Sequence, residues 1–482
     1  MASKLTSRFV GQARRLLFFL VAAASVSLAL QLQSGYAQNA REQVTLDTKT
    51  HAITGPNVDK DGQVTVDVKA FGAVGDGVTN DTAAFKAALA SLSAAGGGLC
   101  LVPKGTYIIS ASGITAPFIP AVSSGVHLVG VGREASILKV NGMPTSHLLQ
   151  CDGDNWSVEG LTFDMQDYVP RRMLSAITCK GANWRVANCA VIKIGRFGIS
   201  AFGGDNWSIE GNYISKTEAT GTYDNQSILV SSASAGTIYA KNARIIDNVI
   251  TGSGIIFWGD NSTIARNRIS GTGFGSGICT GQSKHAHALH VTSNICTGGR
   301  GFDQNRTWVS GFELWTLNSV IANNTAYDND GTGIIVGGQN SIVIGNHSYN
   351  NGAGARGWSF GFGARYASSV DNASGSIFIG NSTHDPRSRG SSMTQTYGYV
   401  EQPGGLHDIM HVENDYNGNK IGPTKYNNTG GQLNVAGAQG SHAIRMQISP
   451  AMKDRLKAVA GAQDIDMSDI ARRTLREFID RE

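Results

Sequence analysis

The sequence predicts an all-β fold, a solenoid of short parallel strands wound one coil per repeat. Composition is the first ground: 61 glycines in 482 residues, scattered among Asn, Ser, Thr and Ile without a G-X-Y period, describe many tight turns and exclude collagen. The second is a recurring phrase in which an aliphatic or aromatic residue, then two others, precede Asn. It reads Ile209-Glu-Gly-Asn212, Ile245-Ile-Asp-Asn248, Ile264-Ala-Arg-Asn267, Val291-Thr-Ser-Asn294, Ile321-Ala-Asn-Asn324, Val343-Ile-Gly-Asn346 and Phe378-Ile-Gly-Asn381. Looser copies (Val158-Glu-Gly-Leu161, Arg185-Val-Ala-Asn188, His411-Val-Glu-Asn414) extend the series, with anchors about 28 residues apart, the period of stacked supersecondary units. Thirdly, these repeats are rich in β-branched and turn-forming residues and lack sustained helical periodicity, which rules out helical repeats.

Stacking such coils brings equivalent residues into columns. The Asn anchors are therefore expected to hydrogen-bond along the axis as a ladder, a structural role rather than a binding one. Their N-x-S/T matches, such as Asn261-Ser-Thr and Asn381-Ser-Thr, read as by-products of turn chemistry rather than glycosylation sites. A second phrase precedes many anchors: Gly198-Ile-Ser-Ala-Phe202, Gly254-Ile-Ile-Phe-Trp258, Gly277-Ile-Cys-Thr, Gly311-Phe-Glu-Leu-Trp315 and Gly333-Ile-Ile-Val. If the residue after Gly points inward, alternation sends Phe202, Trp258, Cys279, Glu313 and Trp315 outward on one face.

The N-terminus reads differently. Lys4, Arg8, Arg14 and Arg15 precede an apolar run from Leu16 to Leu30, with small residues around Ala37, the layout of a secretory leader over 1–37. The run is shorter than a membrane span of about 20 residues, so no permanent anchor is expected and a secreted or periplasmic location is. Removing 1–37 takes away four positive charges and brings the formal +4 to neutrality, leaving no general pull on nucleic acid or anionic membrane. Six cysteines in so long a chain are no disulfide scaffold; Cys151 and Cys179 are the one pair considered, and small buried thiols are the expected state.

After an extension over 38–65, the stretch "VKAFGAVGDGVTNDTAAFKAAL" raises the question of a phosphate loop. It lacks the terminal Gly-Lys-Ser/Thr such a loop needs; Asn80-Asp81-Thr82 instead opens a helix from about Thr82 to Leu92. With "GGGLCLVPKGTYIIS" following, the segment 66–107 resembles the opening module of the pectate-lyase superfamily, in its rhamnogalacturonase-like and epimerase-like branch. That resemblance implies a right-handed parallel β-helix over 66–435 with an N-terminal capping helix. It also implies action on polysaccharides, many of them uronic-acid polymers, in a groove on one face.

Aromatic rings suit that task because the C–H face of a sugar packs on them. Trp258, Trp315, Phe202 and Asp260 are the candidate substrate contacts. Glu313 and Asp303 are a candidate acid and base pair, and Arg306 a candidate partner for a uronate carboxylate. The bland reading of each carboxylate is a solvated turn residue. Within the repeats the Asn-x-Asp, Asp-Asp and Gly-His-Gly motifs of the polygalacturonase branch are missing, as is the aspartate cluster of the calcium-dependent lyases. Where alginate epimerases and lyases of this fold carry Asp-Pro-His, this chain has the order His384-Asp385-Pro386; His384, Asp385 and Arg387 form a second candidate site, with His384 or an arginine as base. No cofactor is expected, with Ca2+ considered only if the protein is a lyase. His285 and His287 in "KHAHALH" share parity on a strand but lack a third metal ligand, so a polar outer face is expected there. The expected function is cleavage of glycosidic bonds in an acidic polysaccharide by hydrolysis or β-elimination. The alternatives are a non-catalytic carbohydrate-binding or adhesion solenoid and a DNA-linked protein.

From His442 onward charged helix formers replace the turn residues. A strand over Ile444–Ile448, a helix carrying Leu456 and Val459, and a second carrying Ile470, Leu475, Phe478 and Ile479 make a small strand-helix-helix module over 441–482, after a linker at 436–440. It resembles the ribbon-helix-helix family, whose paired strands imply a homodimer and base-reading by Arg445, Gln447 and Ser449. Its eight Lys/Arg against seven Asp/Glu give little grip on DNA, so dimerisation is expected and nucleic acid is not.

Overall fold

The computed structural model describes residues 57–58 and 63–448, except 111–118, 123, 143–146, 168–174, 217–225, 232–239, 273–274, 282–285, 301–308, 353–358, 366–371, 387–393, 403–407, 426–430 and 437–442. Each coil visits three sheets in turn, which we call A, B and C. One coil runs through Ser157–Glu159 in A, Thr162–Asp164 in B and Ser175–Cys179 in C; the next through Arg185–Ala187, Ala190–Ile192 and Phe197–Phe202. Successive coils pair in parallel and in register, so Ile209, Ile245, Ile264, Val291, Ile321, Val343 and Phe378 form one inward column in sheet A. The repeated residue of the phrase is thus the core-facing residue of each of these seven sheet A strands. His411 takes this place in the last coil, stacked on Phe378 at 5.1 Å.

Two residues join sheet A to sheet B. The one before the anchor is left-handed in all ten coils, from Gly160 to Glu413, with φ between 49° and 67°. That sharp turn points the anchor inward. From Asn212 through Asn248, Asn267, Asn294, Asn324, Asn346 and Asn381 to Asn414, each Nδ2 donates to the next Oδ1 at 2.8–3.0 Å. The same amide also donates to a core carbonyl, as Asn294 does to Ile264 at 2.8 Å. This is the expected ladder, with one correction: Asn188 is the exposed left-handed residue, and Cys189 occupies the ladder position, its N–H donating to Asn212 Oδ1 at 3.0 Å. Asn381 is fully buried, which closes its N-x-S/T match to any glycan.

At the first end, helix Thr82–Ala94 buries Phe85, Ala88, Leu89 and Leu92 in the core. The glycine loop before it is held by its own carboxylates. Asp81 accepts from Val74 N–H at 2.7 Å and Gly75 N–H at 3.3 Å, while Asn80, not Asp81, accepts from Thr82 N–H at 3.1 Å. A feature not anticipated lies at the turn from sheet C to A: Trp156, Trp184 and Trp207 stack inside with centroids 5.1 and 4.5 Å apart. Its signal was an Asn-Trp dipeptide in three successive coils.

All six cysteines are free thiols. Cys151 and Cys179 are register partners on neighbouring sheet C strands, and burial holds both thiols well above their ordinary range. At the far end, Gly431–Ala436 forms a strand that runs into the first residue of the linker expected at 436–440, the rest of which lies outside the described residues. The strand expected after it, Ala443–Ile448, pairs antiparallel with it on one edge and with Ile409–Val412 of sheet A on the other. Both edges of that strand are engaged within the chain. The two helices expected beyond it, with Ser449, and the leader over 1–37, lie outside the described residues. Among the described residues no helix is long and apolar enough to cross a membrane.

Candidate active site on sheet C

The strands of sheet C begin at the Gly-aliphatic phrases, and alternation orients them as expected. Ile255 and Phe257 are buried, as are Phe312 and Leu314, while Ile256, Cys279 and Glu313 share one outward row. Two residues on, Phe202, Ser231, Trp258, Gly281, Trp315, Gly337 and Arg365 occupy a second outward row, coil by coil. The two glycines have a steric purpose. A β-carbon at Gly281 would strike the indole of Trp258, and one at Gly337 the indole of Trp315, so each ring lies across the coil that follows it.

Trp258 and Trp315 are therefore on the same side, but their environments differ: Trp258 is 37% exposed and Trp315 2%. Trp315 is packed rather than presented. Its Nε1–H donates to Glu313 Oε1 at 3.1 Å, and the guanidinium of Arg365 lies 4.9 Å over its ring. Arg365 Nη1 donates to the same Glu313 oxygen at 3.0 Å, and Ser276 Oγ donates to Oε2 at 3.3 Å. Arg365 Nε donates to Gln402 Oε1 at 3.3 Å, which fixes the guanidinium from a second side. The pair is nearly enclosed, with side chains 10% and 12% exposed. Burial pulls Arg365 below its usual range, and the Glu313 charge opposes that pull.

Arg365 was missed in the sequence because it is remote in sequence from Glu313 and lies in no repeated phrase. The in-register spacing of the sheet C strands was the available signal. Asp260 turns away into the corner between sheets C and A, where its Oδ1 accepts from His287 N–H at 3.0 Å and lies 3.5 Å from the His287 ring. His287 is thus in a corner bridge and the strand starts at His290; His285 lies outside the described residues. Asp303 and Arg306 also lie outside them, as does Arg387. At the second candidate site, Asp385 is 5% exposed and accepts from Thr394 and Gln395 N–H at 2.8 and 3.0 Å, a loop-holding arrangement. His384 is exposed on sheet B, stacked on Tyr349 at 5.4 Å, with Tyr327 stacked in turn at 5.0 Å. Among the described residues no group of three or more His, Cys, Asp or Glu could hold a metal ion.

These features define a parallel β-helix with a charged and aromatic cluster on the outside of one sheet. Residues 65–303 match the profile of the family described as rhamnogalacturonase A/epimerase, pectate lyase-like. Over 100 residues, 21% of the chain, the sequence is 36% identical to mannuronan C5-epimerase AlgE1 of Azotobacter vinelandii, a stretch that is only 7% of that protein's length. The A-module of mannuronan C-5 epimerase AlgE4 from the same organism superimposes with a TM-score of 0.58 over 74% of this chain and 96% of its own, at 17% identity. PfbA, a surface adhesin of Streptococcus pneumoniae, does so with a TM-score of 0.51 over 80% of this chain and 99% of its own, at 14% identity. At such identities the shared property is the fold.

Proposed function

We propose that the protein acts on an acidic, uronic-acid-containing polysaccharide, gripping a sugar carboxylate through Arg365 beside the Trp258 platform. The observation that carries this is the guanidinium fixed by Glu313, Gln402 and the Trp315 ring on the outward face of sheet C. A planar guanidinium locked from two sides matches a carboxylate far better than it matches a neutral hydroxyl. Similarity of part of the chain to an enzyme named for mannuronan, and the family profile, support the same substrate class.

In this reading Glu313 is a positioning residue. Three donors converge on its oxygens, occupying the lone pairs a general acid or base would aim at a glycosidic bond. The chemistry that suits a bound and neutralised uronate is removal of the proton alpha to its carboxylate, which leads to β-elimination or epimerisation rather than hydrolysis. A second reading, carbohydrate binding without turnover, is favoured by that same saturation of Glu313. Assays on a panel of uronic-acid polymers separate them. Ultraviolet absorbance of unsaturated ends or a changed sugar configuration by proton NMR, lost in Arg365→Lys and reduced in Glu313→Gln, is expected. Reducing ends without unsaturation would establish hydrolysis instead, and affinity without any product would establish the binding reading.

A further inference from the structure

Sheet B carries an aromatic column that the proposed site does not use. Tyr327, Tyr349 and His384 are register neighbours at the last outward position of three successive strands, Thr325–Tyr327, His347–Tyr349 and Ser382–His384. The rings of Tyr327 and Tyr349 lie 5.0 Å apart and 3° from parallel, and the imidazole of His384 covers the other face of Tyr349 at 5.4 Å. That spacing is close to the strand separation of about 4.8 Å, so the backbone ladder itself holds the rings face to face. Thr251, Ser270 and Thr297 precede them in register and carry no ring, which leaves a single tyrosine pair in the column. Both tyrosines are half-buried, so part of each ring meets solvent. Among the described residues Tyr399 and Tyr416 also stack, at 5.4 Å and 13°, but they are 0% and 6% exposed and closed to any oxidant. Burial, with Tyr327 and Asp328 adding to it, holds the Tyr349 phenol above its ordinary range. At neutral pH the ring keeps its proton, and an electron leaves it together with that proton.

We propose that Tyr327 and Tyr349 are a modification site, the two halves of a dityrosine bond that a peroxide-driven one-electron oxidant forms as a covalent staple between neighbouring coils. Each phenol gives up one electron and one proton. The two phenoxyl radicals then couple through a carbon–carbon bond between ring positions ortho to the oxygens, and the two ring hydrogens displaced there return to the oxygens. The two electrons and two protons released reduce one hydrogen peroxide to two waters. Register selects the partner: a radical on either ring faces the second ring 5.0 Å away, whereas coupling between molecules waits for a collision. His384 ends the column without a phenol, so the radical pair has nowhere further to run along it.

Controlled oxidation of the full-length chain tests this. Equal amounts of isotopically light and heavy protein are mixed and treated with limited hydrogen peroxide and a haem peroxidase or, in parallel, with a photo-oxidised ruthenium complex and persulfate, a smaller oxidant. Peptide mass spectrometry is expected to find the peptides of Tyr327 and Tyr349 joined with the loss of two hydrogens, light to light and heavy to heavy, in a yield that dilution does not change. Tyr327→Phe, which keeps the stacked ring and removes the phenol, should abolish that product, while Tyr213→Phe, at an exposed tyrosine outside the column, should leave it intact. The joined protein should unfold at higher denaturant than Tyr327→Phe treated in the same way. No joined peptide with either oxidant, joined peptides in mixed light and heavy pairs only, or a yield that survives Tyr327→Phe would overturn the proposal. Equal unfolding midpoints would overturn the role as a staple.

Discussion

Arg365 and Glu313 show how much a site owes to residues that cannot be ranked from sequence. Glu313 was legible because it interrupts an aliphatic strand at an outward position, whereas Arg365 meets it only through the stacking of coils. Removing one partner leaves the other charge nearly enclosed and alone. Arg365→Met should therefore cost about 3 kcal/mol in denaturant unfolding, and the pair Glu313→Gln with Arg365→Met distinctly less. Gly337→Ala should displace Trp315 and with it the guanidinium; the expected result is a fall in polymer affinity larger than its fall in stability, read by calorimetry and thermal melting. Lys216 offers a separate test on pH. Burial pushes its ammonium down to about 8 from 10.5, so the unfolded chain holds that proton more tightly. The penalty is complete below pH 8 and fades as pH rises toward 10.5. Lys216→Met should stabilise the protein at pH 7 by about 1 kcal/mol, discounted for its partial exposure, and gain nothing above pH 10.5. A pH-independent gain would refute that assignment.

The turn between sheets A and B is the element that makes the repeat. A left-handed residue followed by an inward amide was readable as a phrase, since Gly, Asn and Asp dominate the first place and Asn the second. The phrase misplaced itself by one residue at Cys189, because Asn188 satisfies the left-handed position equally well. Asn294→Ala would orphan the Asn267 N–H and the Ile264 carbonyl in a site without water access. We expect a loss of about 3 kcal/mol, measurable by chemical denaturation, against no more than a few tenths for the exposed Ser293→Ala. Equal small effects at both would mean that the ladder adds nothing to packing. The three stacked tryptophans were not legible in either repeated phrase, because the Asn-Trp pair recurs in only three successive coils and lies in the turn from sheet C to sheet A. In a parallel stack, any residue repeated at the coil period becomes a column.

At the scale of the molecule, the solenoid and its catalogue of short strands followed from composition and period, because each coil must bury the same face against its neighbours, while the capping helix followed from the opening motif and the resemblance it carries. The substrate class did not follow from the fold, which an epimerase module and an adhesin share. The proposed substrate class rests on one guanidinium and the rings beside it, together with the partial likeness to an enzyme named for mannuronan. The most direct measurement is the affinity of the protein for a polyuronate against the same polymer with its carboxyl groups reduced to alcohols. The double variant Glu313→Gln with Arg365→Met, which removes both charges together, is measured alongside. The account predicts a preference of about tenfold or more for the charged polymer in the native protein, erased in the variant while binding of the neutral polymer is retained. Equal affinity for the two polymers, or a preference that survives the loss of Arg365, would contradict it.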